Sequence, residues 1–180
     1  MLDYESSLKN SWNVVKENIV TFIVGLLITV IGSVFIVTMA PLFYGFTSMA
    51  VKGARGGAIE IGDVFEGFKK DNIIRSWTFM IIYLVIAGVL GEIASILSTI
   101  VGILFMFSMP LLAIKGTNSG IEAITESVEI VKAAPVESII VYVITLVLNV
   151  IGILLLGIGV LITAPISAVF LVYATLEMAE

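Results

Sequence analysis

Between Ser76 and Ile114 there is a single charged side chain, Glu92. A carboxylate inside a membrane helix is by default a proton or ion site, because charge in lipid is costly. Gly88 and Gly91 stand beside it, where a turn is needed, and the cost of burial favours a solvated turn over a buried site. Asn149 is the strongest polar group between Ser138 and Leu176, and it shares a helical face with Thr145 and Gly152. An amide so placed bonds to a neighbouring helix; lining a substrate path is the sharper and less common role. Glu60, Asp63 and Glu66 form a third group that could hold a cation. Acids at a helix start that stabilise its dipole are the commoner case.

The missing residue types narrow the chemistry further. The chain has no cysteine and no histidine, so disulfides, thiol nucleophiles and Cys/His metal sites are excluded. No aspartate lies in any of the long apolar runs, which argues against a paired-aspartate intramembrane protease. The glycines from Gly53 to Gly57 lack the Lys-Ser/Thr ending of a phosphate loop. The expectation is a chain that is not an enzyme and that binds no cofactor and no metal. A net charge of −5 argues against a polyanion, so no nucleic-acid partner is expected.

The elements that must carry these residues follow from composition. The chain is 59% hydrophobic and 13% charged, against about 45–50% and about 25% in soluble domains. A surplus of that size makes lipid the solvent, and membrane lipids are the expected partners. Three runs carry almost no charge: Ile19 to Val51, Ser76 to Ile114 and Ser138 to Leu176. A single crossing needs only about 20 residues. Each run has a soft spot near its middle: Gly32-Ser33, Gly88 with Gly91, and Gly157 with Gly159. Each has a proline in its second half, Pro41, Pro110 and Pro165, where a helix kink is expected. Thr38, Ser108 and Thr163 stand close to these prolines and could satisfy the carbonyl that a proline frees.

A short amphipathic segment precedes each run. Tyr4, Leu8, Trp12 and Val15 form the first apolar face, Ile61, Val64, Phe65 and Phe68 the second, and Ile121, Ile124, Val128 and Val131 the third. Asp63 to Glu66 and Ser119 to Glu122 have capping-box spacing. The expected fold is an all-α membrane protein with six transmembrane helices. They form three proline-containing hairpins, each preceded by an amphipathic interfacial helix. The chain reads as one membrane domain, 1–180, built of repeats 1–57, 58–118 and 119–180. For the first run, a kinked single span or a re-entrant hairpin also fits.

Charge gives an independent test of topology. The nine Lys and Arg fall in residues 1–18, 52–75 and 115–132, as two, five and two. If each run crosses twice, all nine lie on one side; if each crosses once, they split four against five. Cytoplasmic loops carry the excess of basic residues, so double crossing is favoured. Both termini are then cytoplasmic in a multi-pass protein of the cell membrane. Five spans, with the first run crossing once, is the nearest rival.

Pro41-Leu-Phe-Tyr-Gly45, Asp63-Val-Phe-Glu-Gly-Phe68, the segment Glu122 to Lys132, and Pro165 followed by Tyr173 give the chain a likeness to a known group. It resembles a family of uncharacterised multi-span membrane proteins common in archaea. The resemblance covers nearly the whole chain and implies a six-span fold. It implies no assigned activity and supplies no functional residue. The expected function is therefore non-catalytic: a structural, assembly-forming or membrane-shaping protein. The alternative is a small channel or transporter for an ion or solute. Gly91, Ser95, Ser98 and Gly102, and more briefly Gly25, Thr29 and Gly32, form small-residue seams that suit close helix packing within one chain or in a homo-oligomer.

Overall fold

In lipid a backbone must satisfy its own polar groups, and helices do this within one segment. The computed structural model of the chain, which describes residues 2–155 and 157–179, is accordingly helical, with no strand among the described residues. The helices are α1 (Tyr4–Glu17), α2 (Ile19–Gly32), α3 (Ile36–Ala54), α4 (Lys70–Ile93), α5 (Ser95–Phe105), α6 (Ser108–Lys115), α7 (Gly120–Ala133), α8 (Pro135–Leu154) and α9 (Val160–Met178). A 3₁₀ helix, Ile61–Phe68, lies between α3 and α4.

Among the described residues, four stretches are long and apolar enough to cross a membrane: α4, α5 with α6, α8 and α9. The first run behaves differently. At 14 residues, α2 rises about 21 Å at 1.5 Å per residue, short of a ~30 Å hydrocarbon core. It leaves α1 at 89°, the bend falling at Asn18. The 19 residues of α3 include Pro41 in its interior and Lys52 in its last turn.

The breaks fall close to the soft spots, with one correction. Gly88 and Gly91 are not the turn; α4 runs through both to Ile93, and Ala94 turns the chain with extended backbone at φ −161°. Gly91 instead makes room, since a Cβ there would lie 2.5 Å from Ser98 Oγ. That hydroxyl donates to Ala87 O at 2.7 Å and draws α5 onto α4. Between α8 and α9, Gly157 takes φ 75°, a conformation that suits glycine.

The prolines hold their places, but their neighbours do not serve them as expected. Pro41 has no N–H to give to Val37 O. The donor to that carbonyl is the indole N–H of Trp77 on α4, at 3.1 Å. Thr38 turns the other way and donates to Gly32 O and Phe35 O. Pro110 sits in the first turn of α6, where a missing N–H costs nothing, and marks the break from α5. Ser127 of α7 bridges that break: it donates to Leu104 O at 2.7 Å and accepts from Phe107 N–H at 3.2 Å. The buried hydroxyls of Ser108 and Thr163 have no partner among the described residues. At Pro41 and at the α5–α6 break the bonding groups come from a facing helix.

Ser127→Ala therefore has a defined expected result. It strands two backbone groups at a buried break, at about 1–3 kcal/mol per unsatisfied group. Thermal unfolding of the detergent-solubilised chain should show a clear drop, and an unchanged midpoint would mean that the break satisfies itself.

The expected apolar faces are divided between core and surface: Val15, Val64 and Val131 are buried, while Trp12, Phe65 and Ile121 stay exposed. On α1 the buried residues are Ser7, Ser11 and Val15, while Trp12 is 44% exposed. The cause is α9: Glu177 accepts from Ser7 Oγ at 3.1 Å and from Asp3 N–H at 3.3 Å. On α7 the buried set is Ala123, Ser127, Ile130 and Val131, with Ile121 facing out. Capping is also displaced in the second segment. Asp63 is not the cap but the third residue beyond it, taking Glu60 N–H at 2.8 Å, and the helix it opens is 3₁₀. The Ser119–Glu122 box forms as expected. Hydrogen bonds from the backbone and side chain of Ser119 hold the Glu122 carboxyl below its ordinary pKa. A depressed carboxylate stabilises the fold above its unfolded pKa, and that contribution is lost as pH falls through the folded value.

Two apolar clusters form the core, one around Phe107, Leu111, Leu112 and Phe170, the other around Phe22, Met49, Val169 and Val172. Both include residues of α9, which touches α1, α2, α3, α6 and α8.

Candidate functional site

Glu92 lies in the last turn of α4 with its side chain exposed, one residue before the break. Asn149 does bond between helices. Its amide donates to Thr145 O at 2.8 Å and to Ser167 Oγ of α9 at 3.2 Å. Such bonds contribute about 0.6 kcal/mol on average. Gly152, on the same face, brings α9 so close that a Cβ would lie 2.1 Å from Thr163 Oγ1. These positions hold α8 against α9, far in sequence from Glu92, and the two polar candidates are not brought together.

Two of the three acids, Asp63 and Glu66, are spent on pairing. Lys52 reaches both oxygens of Asp63, at 2.9 and 3.0 Å, and Lys69 pairs with Glu66. Among the described residues no cluster of three or more acids could hold a metal ion.

The most heavily bonded side chain belongs to Arg75, which is 7% exposed near the start of α4. Its Nη1 donates to Asn72 Oδ1 at 2.8 Å and to Gly116 O at 2.7 Å. Its Nη2 donates to Leu112 O at 2.7 Å and to Asn118 Oδ1 at 2.9 Å, and its Nε to Asn118 O. The guanidinium carbon lies 5.8 Å from the centroid of the Tyr44 ring of α3. One cation thus ties α3, α4, the end of α6 and the loop before α7. The carbonyls that receive it carry the partial negative charge of a helix C-terminus. Sequence reasoning places Arg75 merely among the charges of 52–75. The only available signal was an arginine, whose planar fork suits several acceptors at once, directly before an apolar run.

Two adjoining cavities lie between the long helices. One, of about 460 Å³, is lined by Tyr83 of α4, Ser98, Thr99 and Gly102 of α5, and Tyr142 of α8. The other, of about 400 Å³, is lined by Met39 and Phe43 of α3, Met80 and Leu84 of α4, and Ala168 of α9. Phe79, Tyr83, Met106, Met109 and Leu171 belong to both walls. No charged residue lines either cavity. The walls are mostly apolar, with a few hydroxyls and no acid–base pair among the described residues. Compared with protein-family models, with curated proteins and with solved structures, the chain matches none of them, so the geometry above carries the functional reading by itself.

Proposed function

We propose that the chain is a non-catalytic integral membrane protein of six crossings that shapes the leaflet at its basic face. On this reading both termini lie on the cytoplasmic side, with α2 and α3 as a short first hairpin. The distribution of all nine basic residues between alternate runs supports that orientation. So do contacts at the helix ends: Arg55 donates to Ile114 O, and Lys115 pairs with Glu126.

The observation that carries the proposal is the outer surface of the 3₁₀ helix. It buries Val64 and Gly67 against α3 and leaves Ile61, Phe65 and Phe68 exposed, at 43, 50 and 36%. Trp12 of α1 is exposed in the same way. Apolar side chains on short elements flanked by lysine sit at the boundary of headgroups and acyl chains. A rigid mount on that boundary adds volume to one leaflet and bends the bilayer.

The experiment is vesicle morphology. At high protein-to-lipid ratio the reconstituted chain should narrow or tubulate vesicles, and Phe65→Ser with Phe68→Ser should abolish the effect without lowering the unfolding midpoint. Vesicles of unchanged diameter with the wild-type chain would overturn the reading. A small channel or transporter is the second reading, favoured by the chamber between α4, α5, α8 and α9. Its uncharged walls suit an uncharged solute rather than an ion.

A further inference from the structure

The chamber has one apolar end and one end with hydroxyls. Four methionines face it, Met39, Met80, Met106 and Met109. Their unbranched thioether chains adapt to a ligand of variable shape. At the other end stand Tyr83 and Tyr142, near the middle of α4 and of α8. Among the described residues neither phenol hydroxyl makes a hydrogen bond, whereas the hydroxyls of Ser98 and Thr99 donate to their own helix pair. A hydroxyl donor left without a partner at membrane depth is costly. Both tyrosines line the first cavity.

We infer that the chamber is a binding site for one uncharged lipophile: a hydrocarbon chain that ends in an oxygen acceptor, as in a long-chain alcohol or ketone. The chain lies among the methionines, and the oxygen accepts from Tyr83 and Tyr142. A charged headgroup is excluded because the walls hold no counter-charge. Each cavity falls within the size range of small-molecule sites, about 300–1,000 Å³. The inference rests on the membrane reading above but not on leaflet shaping.

The test uses the full chain in phosphatidylcholine vesicles and a long-chain alcohol bearing a diazirine on its chain. Labelling should map to peptides holding Met80, Met106 and Met109, should saturate, and should be displaced by the unlabelled alcohol but not by its sulfate ester. Tyr83→Phe with Tyr142→Phe keeps both rings and removes both donors. It should raise the concentration for half-displacement roughly tenfold. Ala168→Phe, which fills the apolar end, should abolish chamber labelling. Labelling that never saturates, or equal displacement by the sulfate ester, overturns the site. Ile139 and Val143, exposed on α8, separate the two readings. Labelled there but not in the chamber, the chain is in lipid and the site is wrong; labelled nowhere, the membrane reading fails as well.

Discussion

Arg75→Met will lower the stability of the folded chain by about 3 kcal/mol, because the cost of stranded carbonyls exceeds the relief of removing a buried charge. The acceptors decide the size of the effect. Leu112 O keeps Gly116 N–H at 3.1 Å when the guanidinium goes. Gly116 O and Asn118 O lose a close donor each, in part-buried bonds at the end of α6. At about 1–3 kcal/mol per stranded group, these two supply most of the loss. Hydrogen bonds to a charged donor add to it, and the desolvation of the cation, no longer needed, subtracts. Arg75→Lys should recover less than half, since an ammonium cannot present donors to Asn72, Leu112, Gly116 and Asn118 from one plane. Thermal unfolding in detergent checks both variants. An Arg75→Met chain as stable as the wild type would mean that the helix ends hold one another without this cation.

The same residue shows where sequence reading stops. Helices were legible because periodicity and apolar runs are local, and the four membrane-length helices overlap the uncharged runs 76–114 and 138–176 while overrunning their ends, as α4 does from Lys70 and α8 from Pro135. The bond from Asn149 to Thr145 O, within one helix turn, depends only on near neighbours. Arg75 depends on carbonyls 37 to 43 residues away, and nothing in the spacing announces them. Trp77 meets the carbonyl freed by Pro41 across 40 residues, and Ser127 meets the α5–α6 break across 20 and 23. The serine side of α1 is a related case. Tyr4, Leu8 and Val15 pack on the core as the periodicity implies, but Glu177 also recruits Ser7, and a hydrogen bond across 170 residues leaves no trace in the local pattern. The cavity is a further case, because its walls come from α3, α4, α5, α6, α8 and α9 together.

Gly67→Ala should unseat the 3₁₀ helix from α3, at a cost of 3 kcal/mol or more on the order of severe overpacking. A Cβ at Gly67 would lie 1.9 Å from Pro41 O, and one at Gly45 would lie 1.8 Å from Val64 O. Both collisions are with backbone rather than with the end of a side chain, so no rotamer change relieves them. The two glycines lie on opposite sides of one interface, each against the backbone of the other element, Gly67 at Pro41 and Gly45 at Val64. Once the first Cβ has pushed the backbones apart, the second finds more room. The double variant Gly45→Ala with Gly67→Ala should therefore cost less than the sum of the singles, as expected for sites that share an interface. Gly62 supplies the control within the same helix, since a Cβ there meets nothing within 4 Å. Gly62→Ala should be neutral or slightly stabilising, because alanine reduces the freedom of the unfolded chain. Hydrogen exchange over residues 58–69 is the direct measurement, with fast exchange in Gly67→Ala and wild-type protection in Gly62→Ala. Equal exchange in the two variants would mean that the backbones are not in contact. Because Phe65 and Phe68 ride on this helix, Gly67→Ala should also weaken vesicle remodelling while leaving both aromatic rings in the chain. Loss of remodelling there, and its retention in Gly62→Ala, would tie membrane shaping to the rigidity of the mount rather than to hydrophobicity alone.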